Sequence, residues 1–434
     1  MPATPDPLRI LLLTNRDWDN VGDQLIEACA ISLIESAMKN LGWEHGSYQI
    51  DSRDAEIIPQ RYRETGDTSL LGPARAAISN ADLIVFGGSP LFNYAYQDFY
   101  LRTIKTLELA QEYGVPAIFS SIGVETFNGE DPKAIALKEA LALSVVRQIT
   151  TRDDLDSLRM FTEGTGLPTA LVADPAVFTD LVLGPAAARP AEPRTERRIG
   201  LMVTRAGIFK DNGLPFTARR QRRFWRDVVT ELTARGYDYR LFTTGHFADE
   251  TLLDQMVKED GFPLRKACIA VNSPEELQAQ LTACDGVIAF RLHASIAAFA
   301  YGIPCIGLSW NPKVPYFYQS VGLAHRALPV ERWSADEVVP ALETAMAEGV
   351  HKDIAFLMTV YESLFSGIRS VVAPDNAVAP YSHDQLRAEL QRYPGTTPQE
   401  YRAKVTRKLR RAYEAYQRHA FVPAQPRSIG KMPA

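Results

Sequence analysis

Short apolar runs alternate along this chain with longer stretches in which apolar side chains recur every three or four positions. Leu8–Thr14 (LRILLLT) is such a run and predicts a buried strand. Beyond it, Ile26, Cys29, Ala30, Leu33, Ile34, Ala37, Met38 and Leu41 share one face of a helix predicted over Gln24–Leu41, with Gly42 as its stop. The rhythm continues with strands predicted at Asp82–Phe86, Ala117–Ser121 and Gln148–Thr151. Helices are predicted near Thr103–Tyr113, over Pro132–Val146 and near Asp153–Glu163. Strands alternating with helices, without hairpin signals, predict a mostly parallel, doubly wound α/β sheet.

The rhythm breaks at Leu183–Arg198 (LGPAAARPAEPRTERR), whose prolines and scattered charges suit a solvated linker. It then restarts, with strands predicted at Ile199–Thr204, Tyr239–Thr244, Gly286–Phe290 and Cys305–Trp310. Helices are predicted near Gln221–Arg235, over Pro274–Ala283 and over Ala294–Tyr301. The expected organisation is therefore two Rossmann-like domains, 1–185 and 199–375, a linker at 186–198, and a basic helical tail over 376–434. From Asp384 onward the chain carries 11 basic and 4 acidic residues. That segment suits either a solvated helix packing its Tyr401/Val405/Leu409/Tyr413/Tyr416 side on the body, or a peripheral contact with anionic lipid.

Composition narrows the function. At 434 residues and 46% hydrophobic, the chain has enough apolar surface for large cores. Its formal charge of −5 argues against general nucleic-acid binding, so an anionic ligand must be met by locally placed cations. Four cysteines without C-x-x-C spacing favour neither a disulfide framework nor a metal site. The N-terminal apolar run is too short for a signal or membrane-spanning segment, and a cytoplasmic, reducing setting is expected.

Open α/β sheets bind ligands at the carboxyl ends of their strands, so polar residues placed there are the candidates. After the first strand come Asn20, Gly22 and Asp23; Asn20 and Gly22 suit a ligand loop, and Asp23 suits either ligand contact or a helix cap. Gly87, Gly88 and Ser89 end the second predicted strand and fit either close backbone approach to a ligand or a tight turn. Arg152 ends the strand at Gln148–Thr151 and either clamps an anion or pairs with Asp153 or Asp154. Arg291 and His293 form the strongest local signal; if their strand persists they point the same way, a cation beside a proton donor. Lys313, after the next strand, is either a second cation for that ligand or a surface lysine. His246 follows its strand closely enough to face the same cleft.

In order, Asn20-Val21-Gly22-Asp23, Phe86-Gly87-Gly88, Ser121-Ile122-Gly123, Thr151-Arg152-Asp153 with Ser157, Asp174-Pro175, and Arg291-Leu292-His293-Ala294 through Gly302-Ile303-Pro304 to Lys313 resemble the polysaccharide pyruvyl transferase family. The resemblance implies a glycosyltransferase-B-like pair of Rossmann domains. It implies transfer of the pyruvate unit of phosphoenolpyruvate, a co-substrate rather than a bound cofactor, onto two sugar hydroxyls as a cyclic ketal with release of phosphate. It makes Arg152 and Arg291 the donor-binding arginines and His293 the catalytic histidine. The implied acceptor is an exopolysaccharide or cell-wall glycan precursor, lipid- or nucleotide-linked; Asp23, Glu125 and Asp174 are candidates for the base. The chain departs from the family pattern at Ser89, where a third glycine is frequent, at Trp310, where tyrosine is common, and at Glu125, where proline is usual. The rival is a glycosyltransferase or sugar-nucleotide epimerase of the same architecture.

Overall fold

The computed structural model describes residues 7–15, 19–95, 98–185 and 196–420. Residues 186–195 of the expected linker, and the tail beyond 420, lie outside the described residues. Strand β1 (Leu8–Thr14) shows how the first half is built. Ile10 and Leu12 enter one core with the helix Val21–Asn40, while Leu11 and Leu13 enter another beneath the opposite face. The period-two alternation of a strand thus feeds two apolar layers, and a run of consecutive leucines satisfies both.

Six parallel strands make the first sheet, in the order β2-β1-β3-β4-β5-β6. They are β1, β2 (Tyr48–Asp54), β3 (Leu83–Gly87), β4 (Ala117–Ile122), β5 (Val146–Thr151) and β6 (Thr169–Leu171). The second sheet, also parallel, runs β12-β11-β10-β7-β8-β9. Its strands are β7 (Arg198–Met202), β8 (Asp238–Phe242), β9 (Ala267–Cys268), β10 (Gly286–Ala289), β11 (Cys305–Leu308) and β12 (Ala327–Leu328). This is the expected pair of doubly wound sheets. β2, β6, β9 and β12 were not expected. All lie toward or at the sheet edges, where strands are short or, as in YQIDSRD of β2, mostly polar.

The helix Ile354–Val372 brings the chain back to the first half. Its Leu357, Tyr361, Leu364 and Phe365 are buried in the core that holds the first helix. Leu386 and Leu390 join that core, so the compact body runs to Gly395 and the tail begins later than the expected residue 376. Two leucines one helical turn apart anchor a stretch whose charge suggested a solvated tail. In the separate unit Thr396–Ala434, the helix Pro398–Ala420 exposes Leu409 and Tyr413. Among the described residues no helix is long and apolar enough to cross a membrane.

Candidate active site

Two helices cross at the seam between the halves. The first helix puts Val21 and Leu25 into the core of the second half, but Ile26, Cys29 and Leu33 into that of the first. The helix Leu292–Ala300 does the converse, with Leu292, Ile296 and Phe299 in the first-half core and Ala294, Ala297 and Ala298 in the second. At the crossing, His293 lies over Gly22: a β-carbon on Gly22 would stand 2.5 Å from Nδ1 and 2.7 Å from Cβ of the histidine. The glycine is therefore required by the imidazole, not by backbone conformation. Nearby, Val21 N–H donates to Thr244 O at 2.8 Å, and Gly245 (φ +85°) sits against the carbonyls of Val271 and Asp19.

The start of the first helix differs from expectation. It begins at Val21, and Asn20, not Asp23, is the N-cap; the Asn20 side chain accepts from Gly22 N–H at 3.1 Å. An asparagine in extended backbone can reach back to the first free amides, which a residue already inside the helix cannot. Asp23 instead accepts from Asn20 Nδ2 at 3.0 Å and Asn15 Nδ2 at 3.4 Å. His246 likewise serves as a cap, its Nδ1 accepting from Ala248 N–H at 3.2 Å.

Arg152 follows β5 and is buried, its Nη1 paired with Asp174 and its Nε 4.0 Å from Asp153 Oδ1. Burial opposes the guanidinium charge, but Asp174 and Asp153 outweigh it and raise the pKa. Asp153 is itself buried, which raises its pKa despite Arg152 and Lys313. Arg291 does not stay in a strand: β10 stops at Ala289, Arg291 is the N-cap, and His293 lies in the first turn of the helix. The side chain of Arg291 forks onto the fully buried Asp249, Nε and Nη2 each donating at 2.9 Å. Asp249 is fixed in turn by the backbone N–H of Arg205 at 2.8 Å and by Thr204 Oγ1 at 3.3 Å. Arg291 thus spends one edge of its guanidinium on a buried aspartate, whereas Arg152 is set between two.

His293 Nε2 is shielded from solvent and has no hydrogen-bond partner among the described residues. Burial, and then the charges of Arg152, Lys313 and Arg291, hold its pKa well below 6.5. Lys313 opens the helix Lys313–Ser320; burial lowers its pKa, against the pull of Asp153. Asp23 acts on both Arg152 and Lys313. The structure therefore gathers Arg152, Arg291, His293, Lys313, Gly22 and Asp23 at one place. Gly87 and Gly88 (φ +60°) pack on apolar side chains, Leu12 and Ala30 for the first and Ile26 and Pro175 for the second; Ser89 Oγ accepts from Asn15 N–H, whose side chain reaches Asp23, and donates to Gly87 O at 3.2 Å.

Beside this cluster opens a pocket of about 390 Å³ whose wall includes Glu125, Arg205, Arg291, Trp310, Asn311, Lys313 and Tyr316. Arg205 and Asp249 were missed by sequence reasoning. The rule that singled out Arg152 also singles out Arg205, which stands just after β7. Asp249 gives no local signal, being one of two acidic residues in the first turn of the helix Phe247–Asp260.

A family model for polysaccharide pyruvyl transferase matches residues 20–312. The chain belongs to this family. The match to polysaccharide pyruvyl transferase starts at the Asn20 cap, takes in Arg152, Arg291 and His293, and stops one residue before Lys313. No curated protein matches the sequence at a significant level. Among solved structures, the putative UDP-N-acetylglucosamine 2-epimerase of Listeria monocytogenes is similar at 11% identity and TM-score 0.57, covering 87% of this chain and 100% of the other. The UDP-GlcNAc 2-epimerase of Methanocaldococcus jannaschii is similar at 13% identity and TM-score 0.52, covering 84% and 99%. These likenesses are of fold: this pyruvyl transferase family member shares the glycosyltransferase-B-like pairing of two sheets.

Proposed function

We propose that the cleft binds phosphoenolpyruvate and transfers its pyruvate unit, as a ketal, onto two hydroxyls of a glycan precursor. The observation that carries this reading is the convergence of Arg152, Arg291 and Lys313 on His293 from both halves. Phosphoenolpyruvate brings a carboxylate and a phosphate, and the cations of Arg152, Arg291 and Lys313 complement both. His293 gives a proton to the methylene carbon, leaving a cationic carbon that a sugar hydroxyl attacks; phosphate then departs with the electrons of its C–O bond. The histidine must be protonated for this step, and the cations around it oppose that. Donor binding resolves the conflict, because its negative charge offsets theirs and draws a proton onto the ring.

Calorimetric titration with phosphoenolpyruvate, run beside a nucleoside-diphosphate sugar, tests the reading. Saturable phosphoenolpyruvate binding that is lost in Arg291→Ala is the expected result. Binding of the nucleotide sugar alone overturns it in favour of epimerase or glycosyltransferase chemistry.

A further inference from the structure

Buried polar atoms in folded proteins almost always have partners, and the exceptions point to what is bound in function. In the wall of the cleft pocket two acceptor oxygens have none among the described residues: Glu125 Oε1 and Asn311 Oδ1. Both are shielded from solvent, and an acceptor there calls for a donor from a ligand. The same wall carries Trp310 and Tyr316, whose flat faces suit a sugar ring. Glu125 is held firmly. Its Oε2 accepts the backbone N–H groups of Tyr94 at 2.8 Å and Ala95 at 2.9 Å, so the carboxylate cannot turn away and only Oε1 is available.

Asp211 also lines the pocket but is exposed at its surface, and the carboxylates around His293 are committed or lie off the wall. Asp174 holds Arg152 and accepts from Ala176 N–H at 2.8 Å. Asp249 spends both oxygens on Arg291. Asp23 accepts from Asn20 and Asn15, and neither it nor Asp153 belongs to the pocket wall. Glu125 also acts on Lys313, which is at once a wall residue and a charged neighbour of His293.

We infer that this pocket is the acceptor subsite, that it holds a sugar diol against Trp310 and Tyr316, and that Glu125 Oε1 is the base of the reaction. The inference rests on the pyruvyl-transfer reading. The first hydroxyl oxygen bonds to C2 of the protonated donor and its proton passes to Glu125 Oε1. The C2–O bond to phosphate then breaks with its electron pair going to phosphate. The second hydroxyl bonds to C2 and its proton leaves with the phosphate, while Glu125 returns its proton to solvent. His293 takes a proton back from solvent as Glu125 releases one, so overall one hydroxyl proton replaces that given to the methyl group and the other leaves with the phosphate.

The test uses the whole protein with phosphoenolpyruvate and a panel of methyl glycosides of glucose, galactose and mannose. Glycoside binding is followed by saturation-transfer NMR and turnover by phosphate release. Glu125→Gln keeps an oxygen for the Tyr94 and Ala95 amides but cannot accept a proton. Turnover is expected to fall about a hundredfold or more, with phosphoenolpyruvate affinity and unfolding temperature unchanged. Glu125→Asp, a carboxylate withdrawn by one methylene, recovers part of the lost rate. Turnover of Glu125→Gln close to wild type overturns the base assignment alone. A wild-type protein that binds phosphoenolpyruvate but neither holds nor converts any glycoside overturns the diol subsite and leaves the donor reading standing. Failure of the wild type to bind phosphoenolpyruvate removes both.

Discussion

The two halves bring opposite charge to the cleft. Around the carboxyl end of the first sheet stand Asp23, Glu125, Asp153 and Asp174 with a single guanidinium, Arg152. Around that of the second stand Arg205, Arg291 and Lys313 with the buried carboxylate of Asp249 and the exposed one of Asp211. Arg152 is enclosed by acids and buried; Arg291 has one aspartate and still reaches the pocket wall. The contrast teaches that similar β/α frameworks can be given complementary electrostatic tasks, one side suited to holding an anion and the other to accepting a proton.

The comparison is broken most severely at the crossing of the helices. His293→Ala should lower turnover by about a hundredfold or more, the usual weight of a general acid, with the fold retained by circular dichroism. Gly22→Ala attacks the same point from the other half by driving a methyl into the ring. It should lose turnover with His293 intact and cost about 1–3 kcal/mol in a denaturant titration, as overpacking does.

The arginines sharpen the contrast next. Removing Arg152 strands two buried acids, so Arg152→Ala should be destabilised by about 3–5 kcal/mol as well as inactive. A double variant, Arg152→Ala with Asp174→Asn, should regain part of the stability and none of the activity. Arg205→Ala is milder, and a loss of about 1.5–3 kcal/mol in phosphoenolpyruvate affinity, read by calorimetry, is expected if this pocket-wall cation meets the donor's charge.

The smallest effect is on protons. With its pKa held below 6.5 by burial and by Arg152, Lys313 and Arg291, His293 opposes folding when protonated. Its contribution to stability is therefore full above the unfolded-state value of about 6.5 and is lost as pH falls below it. On the proposed reading, phosphoenolpyruvate should work the other way, taking up a proton as it binds and binding more weakly as pH rises. Calorimetry in buffers of different ionisation enthalpy measures that uptake directly, and its absence in His293→Ala assigns it.

Much of this was legible in the chain. The strand-end rule drew attention to Arg152, Arg291, His293 and Lys313, and the structure brings them into one cluster. What was not legible is instructive. Gly87 and Gly88 looked like Gly22 by residue type, yet they pack against the first helix and its neighbours, whereas Gly22 faces a histidine from the other half. Nothing local separates these cases, because the contact that decides them is made by a distant part of the chain. Asp249 escaped for the same reason. Polar β2 escaped because an edge strand needs little apolar patterning.

The crossing of the two seam helices has a mechanical consequence. Val21 and Leu25 belong to the core of the second half, and Leu292, Ile296 and Phe299 to that of the first. Neither layer of sheet and helices can melt without pulling buried side chains out of the other. Heating should therefore give one cooperative transition, and the groups that do chemistry would be lost together with the last shared contacts rather than before them.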